Sequence, residues 1–168
     1  MKKILLILIL FFICTNVQAG CDDPLGDGVD YTNCRFSDGQ DLKGSFLPNS
    51  NLSFAGFIQV NFDKSIMMNS ILAYGSFSES SFVRANLYES NLQGANLEQS
   101  NFTSANLTRA KFFGASLIEV NFTNANLYEA DFTSANILNA VFEGANLNNA
   151  IWTDGEKCGS NSIGVCKK

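Results

Sequence analysis

The chain has 168 residues, of which 46% are hydrophobic and 16% are charged, and its formal net charge is −5. This length suits one domain, and the composition is too apolar and too weakly charged for a disordered chain. Histidine is absent from the sequence, which excludes Ser-His and Cys-His catalytic pairs.

The first predicted element is a secretory signal peptide over residues 1–19. Lys2 and Lys3 precede an unbroken apolar run at residues 4–13, and the tripeptide VQA that ends at Ala19 resembles an A-x-A cleavage site. The run spans about ten residues, whereas a membrane helix needs about twenty. We therefore expect cleavage after Ala19, a periplasmic or secreted bacterial protein, and no membrane span in the mature chain.

Cleavage removes two of the eleven basic residues and none of the sixteen acidic ones, so the mature chain would carry a net charge of −7. A negative charge of this size disfavours nucleic acid and anionic lipid as partners.

The mature chain would keep four cysteines: Cys21, Cys34, Cys158 and Cys166. An even number in an oxidising compartment favours disulfides, and four cysteines allow three connectivities. We favour Cys21 with Cys34 and Cys158 with Cys166, because the long segment between the two clusters should hold them apart. Zinc is the rival interpretation, although the spacing is not CxxC and histidine is absent. Acylation of Cys21 as a lipoprotein is a further alternative, although Gln18 stands where such signals usually have Leu.

The central part of the chain has an apolar residue at every fifth position from Leu42 to Trp152. These 23 central residues are eleven Leu, nine Phe, one Met, one Ile and one Trp. Two places before them stand twelve Ala, seven Ser and one Gly, with three exceptions. Residues five apart on an α-helix are rotated by about 140°, and strand side chains alternate with period two, so neither element fits. The chain must turn a corner once per repeat, which predicts a solenoid.

The type of central residue indicates how many repeats close one turn. Every fourth repeat falls into the same column, one mostly Phe and the next mostly Leu: Phe62, Phe82, Phe102, Phe122 and Phe142, then Met67, Leu87, Leu107, Leu127 and Leu147. A period of twenty residues predicts a four-sided coil with like side chains stacked about 4.8 Å apart. The 23 repeats then make almost six coils.

The predicted organisation has a cap at each end of the coil. Residues 20–39 form an N-terminal cap, residues 40–152 the coil and residues 153–168 a C-terminal cap. Unpaired edges of a sheet invite aggregation, so we expect the disulfide-tied ends to cover the edges of the end coils.

These repeats resemble the pentapeptide repeat family, whose signature A(D/N)Lxx is similar to ANLYE, ANLEQ, ANLTR and ANLNN in this chain. The resemblance covers about two thirds of the chain and implies an all-β fold, a right-handed quadrilateral β-helix. It implies almost nothing about activity. Some members imitate DNA and engage DNA gyrase, so an acidic DNA mimic acting on a type II topoisomerase is one possible function. Export argues against it, because gyrase is cytoplasmic, and the register has no inserted loops of the type seen in the quinolone-resistance members.

Outward positions carry two regular features. Asn occupies eleven of the 23 positions just before a central residue, and Asn86, Asn106, Asn126 and Asn146 share one column. We interpret this column as a structural amide ladder. Another column holds Glu89, Arg109 and Glu129, which predicts an exposed charge ladder. Four N-x-S/T matches arise from the repeat itself and are not interpreted as glycosylation sites: Asn51, Asn101, Asn106 and Asn121.

Outward positions become apolar near the N-terminal end of the coil, at Phe46, Phe54, Ile58, Ile66, Met68 and Ile71. A contiguous apolar patch could mark a partner surface. The alternative is that the N-terminal cap folds over it, because caps shield the ends of solenoids.

The sequence predicts neither an enzyme nor a cofactor or metal site. Its carboxylates are scattered, including Glu79 and Glu98 on one face, and a coil filled by Leu and Phe leaves no pocket to perturb their pKa values. We expect a rigid binding or scaffold surface for a protein or envelope component, with a homodimer through a coil end as a further expectation. The aligned Thr103 and Thr123 form too short an array for an ice-binding face.

Overall fold

The computed structural model describes residues 20–168, and the predicted signal peptide lies outside them. Within this range the chain forms no α-helix and no extended strand, but a ladder of single-residue parallel bridges. Bridge partners from Asp41 to Ile151 are twenty residues apart, as Asn101 and Asn121 are. The prediction of an all-β, right-handed quadrilateral β-helix is confirmed. No helix of residues 20–168 has the length and apolar character needed to span a bilayer.

Each coil has four sides, which we number by their central residues. In steps of twenty, side 1 runs from Leu42 to Phe142, side 2 from Leu47 to Leu147, side 3 from Leu52 to Trp152 and side 4 from Phe57 to Ile137. The bridge residue stands one place before the central residue, the small residue two places before it, and the first and second turn residues follow it.

Every corner is a β-turn with a left-handed residue. The Ala105 N–H donates to the Phe102 carbonyl at 3.0 Å, closing one such turn. From Gly44 to Asn149 all 22 second turn residues have φ between 55° and 69°, as in type II turns, and only four of them are glycine. This conformation costs a non-glycine residue on the order of 1 kcal/mol. The hydrogen bonds between coils must offset that cost.

Hydrogen bonds between coils run along all four sides. The Phe102 N–H donates to the Asn121 carbonyl of the next coil at 2.7 Å, and the Ser104 N–H donates to the Thr123 carbonyl at 2.9 Å. The Asn101 N–H donates back to Ser80 at 3.0 Å. Each repeat therefore pairs its backbone with both neighbouring coils, as a chain buried between coils requires.

The interior is filled by the central residues. All of them from Leu42 to Phe132 are buried, and the Phe rings of side 1 stack with centroids 4.6 to 5.4 Å apart. The predicted columns are therefore confirmed, and the small residues fit beside the large ones. Two buried serine hydroxyls, those of Ser45 and Ser65, have no hydrogen-bond partner among residues 20–168.

The ladder begins before the predicted start of the coil. Asp30 and Arg35 bridge Asn51 and Gly56, which are 21 residues further on instead of twenty. Tyr31 is fully buried here. Residues 20–39, predicted as a cap, therefore include half a coil on sides 3 and 4, tied by a disulfide between Cys21 and Cys34.

One additional residue shifts the register between this half coil and the repeats that follow, so the repeat is not recognisable in the sequence. Phe36 stacks on Phe57 with centroids 4.2 Å apart, as a central residue of side 4 should. Six positions separate Phe36 from Leu42, where every later pair of central residues is five apart.

The C-terminal residues cover only half of the last coil. Lys157 and Ile163 form antiparallel bridges with Ile151 and Asn146, on sides 3 and 2. A disulfide joins Cys158 to Cys166. Within residues 20–168 no backbone bridge extends over sides 4 and 1 at this end, so the expectation that the end covers the edges of the last coil holds for sides 2 and 3 only. The C-terminal residues cover sides 2 and 3 because their two antiparallel bridges are formed with these sides.

Candidate functional surfaces

The apolar outward residues remain accessible in the structure. Phe46, Phe54, Ile66 and Ile71 expose 53%, 57%, 37% and 42% of their surface. Phe46 and Ile66 are bridge partners on side 2, and Ile71 is a bridge residue of side 3. We call these four residues, with the half-buried Ile58 and Met68 and the neighbouring Tyr74, the apolar surface.

An aromatic pair forms one corner of this surface. Phe54 and Tyr74 stack with centroids 5.3 Å apart and 12° between their planes. The Tyr74 hydroxyl accepts a hydrogen bond from Gln93 Nε2 at 2.9 Å, and its ring lies over Gly94, where an added Cβ would fall 2.5 Å from a ring carbon. Tyr74 was not among the predicted surface residues, although its position twenty after Phe54 would have identified it.

An open groove runs beside this pair on side 4. Gly56 and Ser76 contribute to its floor, Phe54, Tyr74 and Ile58 line its flanks, and its volume is about 390 Å³. The N-terminal half coil lines the other end with Asn33, Arg35 and Asp38. The groove joins the apolar surface to a polar rim.

The N-terminal cap does not bury the apolar surface. Residues 20–39 lie at the end of the coil, where residues 30–36 continue the ladder over sides 3 and 4. The exposed fractions of the apolar surface given above are therefore those that remain with residues 20–39 in place. The alternative interpretation, in which this cap folds over the patch, is therefore wrong for residues 20–39, because they extend the coil instead of lying along its sides.

The predicted charge ladder is assembled on the corner after side 2. Arg109 Nε lies 2.7 Å from a Glu129 carboxylate oxygen, and Arg109 Nη1 lies 3.1 Å from one of Glu89. Hydrogen bonds from Tyr88 and then Arg109 lower the pKa of Glu89. Hydrogen bonds from Arg109 and then Tyr128 lower the pKa of Glu129. All three charged side chains are solvent-exposed enough for screening to weaken these pairs.

The amide ladder is interrupted once. Asn106 donates to Asn86 and Asn146 donates to Asn126, both at 3.0 Å. Asn126 donates to the Thr108 hydroxyl at 2.9 Å instead of continuing to Asn106. The ladder is thus built from local pairs.

A second bond explains why Asn recurs at the bridge position. Its Oδ1 accepts the N–H of the residue two places later, as Asn101 does from Thr103 at 3.0 Å. This Asx-type bond holds the turn in place. The Thr103 and Thr123 hydroxyls also donate to Asn101 and Asn121 at 2.6 Å, so neither hydroxyl forms a free array.

Other polar groups are engaged in similar pairs along the coil. Glu79 accepts a hydrogen bond from Gln59 at 2.9 Å, and Glu98 accepts one from Ser116 at 2.8 Å. In residues 20–168 no group of three or more His, Cys, Asp or Glu side chains converges as a metal site would require. Glu79 and Glu98 therefore form hydrogen bonds between neighbouring coils on the surface.

Comparison with known proteins agrees with this geometry. The family described as "Pentapeptide repeats" matches residues 80–117 and 115–151, with eight copies. No curated protein matches the chain.

Three solved structures illustrate the similarity. A trypsin-treated variant of QnrB1, a plasmid-mediated fluoroquinolone resistance protein, has a TM-score of 0.66 and 22% identity over 71% of this chain and 62% of that chain. A second such variant has a TM-score of 0.60 and 17% identity over 71% and 70%. HetL from the cyanobacterium Nostoc sp. strain PCC 7120, involved in heterocyst differentiation regulation, has a TM-score of 0.46 and 16% identity over 78% and 92%.

The first alignment spans about three fifths of the QnrB1 chain (62%), and identities this low show a shared fold alone. The twenty-residue ladder, the family match and the two QnrB1 structures point to one conclusion. Residues 80–151 of the chain are pentapeptide repeats, and the ladder from Asp41 onward keeps the same period of twenty.

Proposed function

We propose that the protein is a non-catalytic, exported scaffold that binds a protein or envelope component through its apolar surface. The observation that supports it is the exposure of Phe46, Phe54, Ile66 and Ile71 in the N-terminal coils. Exposed apolar residues that cluster in this way mark interaction sites in soluble proteins.

The fold does not require these apolar residues. Ile66 shares a column with Asn86, and Ile71 shares one with Asn91. Both asparagines accept the N–H of their own turn, at 3.3 Å and 3.0 Å. An isoleucine at the same place gives up this hydrogen bond and exposes apolar surface. Ile66 and Ile71 therefore stabilise the fold less than asparagine would at the same places, which is consistent with a binding role.

Phe54 and Tyr74 support the same interpretation. Both stand at the left-handed position of a turn, with φ of 58° like the other turns of the coil, and they expose 57% and 52% of their surface there. The stack holds two rings at the corner next to the groove, at a conformational cost on the order of 1 kcal/mol each.

Site-specific photo-crosslinking in the host cell tests this proposal. A photoreactive amino acid at Ile71 should capture a partner, whereas the same amino acid at Asn91, one coil further along the same column, should not. Ile66→Asn with Ile71→Asn should abolish the capture and leave the melting temperature unchanged or higher, because Asn one coil later in each column accepts a hydrogen bond from its own turn. Equal capture at both positions, or capture that survives the double substitution, would refute the proposed surface.

Export is tested separately by the mass of the protein recovered from its host. The proposal requires a chain that begins at Gly20, in the periplasm or the medium. A chain that retains residues 1–19 in the cytoplasm would contradict export without bearing on the apolar surface.

A second candidate function is a DNA mimic that acts on a type II topoisomerase such as DNA gyrase. Its support is the net charge of −7 without residues 1–19, together with the likeness in fold to QnrB1. The distribution of charge weighs against it, because Arg109 pairs with Glu89 and Glu129, whereas DNA presents a charge about every 1.7 Å along its axis. A gyrase supercoiling assay with and without a quinolone decides: protection or inhibition by the protein would favour the mimic.

A further inference from the structure

Side 4 of the coil carries charge of one sign only. Its five repeats, centred on residues 57, 77, 97, 117 and 137, contain Glu79, Glu98 and Glu119 and no lysine or arginine. The other three sides mix both signs, as Lys111 and its bridge partner Asp131 do on side 3. Side 4 therefore differs in charge from the rest of the coil.

The carboxylates of side 4 lie along one edge. The Gly39 N–H donates to the Ile58 carbonyl at 3.1 Å, so Asp38 stands one coil before Ile58 in the column of first turn residues. Glu98 belongs to the same column, three coils or about 14 Å beyond Asp38. Glu79 and Glu119 occupy the neighbouring column of second turn residues. We call these four carboxylates the acidic row: Asp38, Glu79, Glu98 and Glu119.

The opposite edge of side 4 is aromatic. Phe54 and Tyr74 stack there, and both line the groove whose floor includes Gly56 and Ser76. The larger Asn96 takes the floor position in the next coil. The groove is thus deepest beside the two rings, and the side is apolar along one edge and acidic along the other.

Basic side chains do not neutralise the acidic row in the described part of the chain. Gln59 Nε2 donates to Glu79 at 2.9 Å, and Gln99 Nε2 donates to Glu119 at the same distance. These donors are uncharged, and within residues 20–168 no carboxylate of the row belongs to an ion pair. The negative charge of this edge is therefore available to a partner.

One basic residue borders the groove at its N-terminal end. Arg35 is the bridge partner of Gly56, and its Cγ would lie 3.5 Å from a Cβ added to that glycine, so the stem of Arg35 lies over Gly56. Asp22 and Asp38 line the neighbouring cavity together with Arg35. Residues 20–41 contain six aspartates and this one basic residue, so the end of the groove is also acidic.

We propose that the groove and the acidic row bind a basic amphipathic α-helix of a partner protein, which lies along the coil axis. Its apolar residues pack on Phe54, Tyr74 and Ile58, and its lysines or arginines face the acidic row. The inference rests on the proposed function, because it names the class of partner for part of the same apolar surface.

The dimensions of a helix suit this side of the coil. One helical turn rises about 5.4 Å, close to the coil spacing of about 4.8 Å. Basic residues three or four places apart on a helix therefore advance by about one coil each, which brings them in turn to the carboxylates between Asp38 and Glu119. Apolar residues with the same spacing on the adjacent face of the helix meet the two rings.

Charge selects this occupant over others. Nucleic acid and anionic lipid are repelled by a side that has no basic residue beyond Arg35. A second copy of the chain is also disfavoured, because each copy without residues 1–19 carries a net charge of −7. A basic segment is attracted from a distance by the same charge.

Fluorescence anisotropy of labelled peptides with the purified chain tests the proposal. The probe is a peptide of leucine and lysine in an amphipathic helical pattern, about four turns long. One reference peptide has glutamate in place of each lysine, and the other has serine in place of each leucine. The probe should bind, and both reference peptides should bind at least about tenfold more weakly. A probe that does not bind, or a reference peptide that binds equally well, would overturn the proposal.

Charge-neutral variants locate the contact. Asp38→Asn with Glu79→Gln should weaken binding of the probe about tenfold and reduce its dependence on salt. Asp131→Asn with Glu143→Gln is the matched control, because it makes the same change in net charge on sides 3 and 1. Equal weakening by both pairs would show that net charge alone attracts the peptide, and would refute the acidic row as its site.

Gly56→Asn tests the groove itself. Asn96 and Asn136 occupy the same position of side 4, and an added Cβ at Gly56 makes only ordinary contact with Arg35, so the variant should fold normally. Filling the floor should weaken binding of the probe about tenfold, and unchanged binding would exclude the groove. The two proposals fail separately. Capture at Ile71 without binding of the probe would overturn the basic helix alone, whereas binding of the probe without capture would support the helix and refute the wider partner surface.

Discussion

The ring of Phe102 lies on that of Phe82, with centroids 4.6 Å apart and 3° between the two planes. This separation is close to the spacing of adjacent β-strands, about 4.8 Å. The side-chain column and the backbone ladder therefore share one repeat. A column of identical rings can persist only when each coil contains the same number of residues, which is why the twenty-residue period of the sequence determines the cross-section.

Substitution of a stacked ring should unfold the coil. Phe102→Asp places a carboxylate in a fully buried position and removes ring contacts on both sides. Loss of a buried Phe costs about 3 to 5 kcal/mol before the charge is counted, so we expect no cooperative melt in circular dichroism. Phe113→Asp is the control, because Phe113 is 46% exposed and its substitution should leave the melt nearly unchanged. A folded Phe102→Asp protein would contradict the assignment of the core.

The core could be predicted from the sequence because its signal is repeated many times. The apolar residue at every fifth place identifies the inward side, and the alternation of Phe and Leu columns gives the number of sides. Glu89, Arg109 and Glu129 could be aligned for the same reason, since a register of twenty carries any outward position with it. Local pairing was less predictable, as Asn126 shows by bonding to Thr108 instead of Asn106.

The ends of the coil could not be predicted in the same way, because each departs from the repeat. One additional residue between Phe36 and Leu42 breaks the register, although Tyr31 and Phe36 keep the spacing of five. Residues 156–164 have no repeat at all, and their antiparallel direction depends on the turn at residues 153–155. The half-open end is thus a property of tertiary structure.

A buried serine offers a stabilising substitution. The Ser65 hydroxyl is buried and has no hydrogen-bond partner among residues 20–168, and Ala85 occupies the same column one coil later. Ser65→Ala should raise the free energy of unfolding by about 1 kcal/mol, because it removes an unsatisfied polar group.

Ser70 is the matched control for this substitution. Its hydroxyl is equally buried but donates to the Leu47 carbonyl at 2.6 Å. Ser70→Ala should lower the free energy of unfolding by about 1 kcal/mol. Urea unfolding followed by circular dichroism measures both variants, and effects of the same sign would contradict the assigned hydrogen bonding.

The charge ladder should give the coil a specific dependence on pH. The pKa values of Glu89 and Glu129 are lower in the folded chain than in the unfolded one. Carboxylates with lowered pKa values stabilise the fold above the pKa of the unfolded chain, about 4.3 for Glu, and that stabilisation is lost as the pH falls through the folded value.

Arg109→Met removes the hydrogen-bond donor that both glutamates share. We expect the variant to lose part of the difference in melting temperature between neutral pH and acidic pH, and to become less sensitive to salt. Lys64→Met is the control, because Lys64 belongs to no ion pair within residues 20–168. Identical pH profiles for the unmodified chain and Arg109→Met would show that the ladder does not act on stability.

Reduction of the disulfides should loosen the two ends and leave the central coils folded. Alkylation of the oxidised chain should modify none of Cys21, Cys34, Cys158 and Cys166, and alkylation after reduction should modify all of them.

Cys158→Ser with Cys166→Ser removes a link that stabilises by about 2 to 4 kcal/mol. Because Cys158 is fully buried and belongs to residues 156–164, which lie over the last coil, hydrogen exchange should accelerate first at residues 156–164. Mass spectrometry after exchange measures this, and faster exchange at Phe102 than in that segment would contradict the local role of the disulfide. A chelator that lowers the melting temperature of the oxidised chain would instead favour zinc.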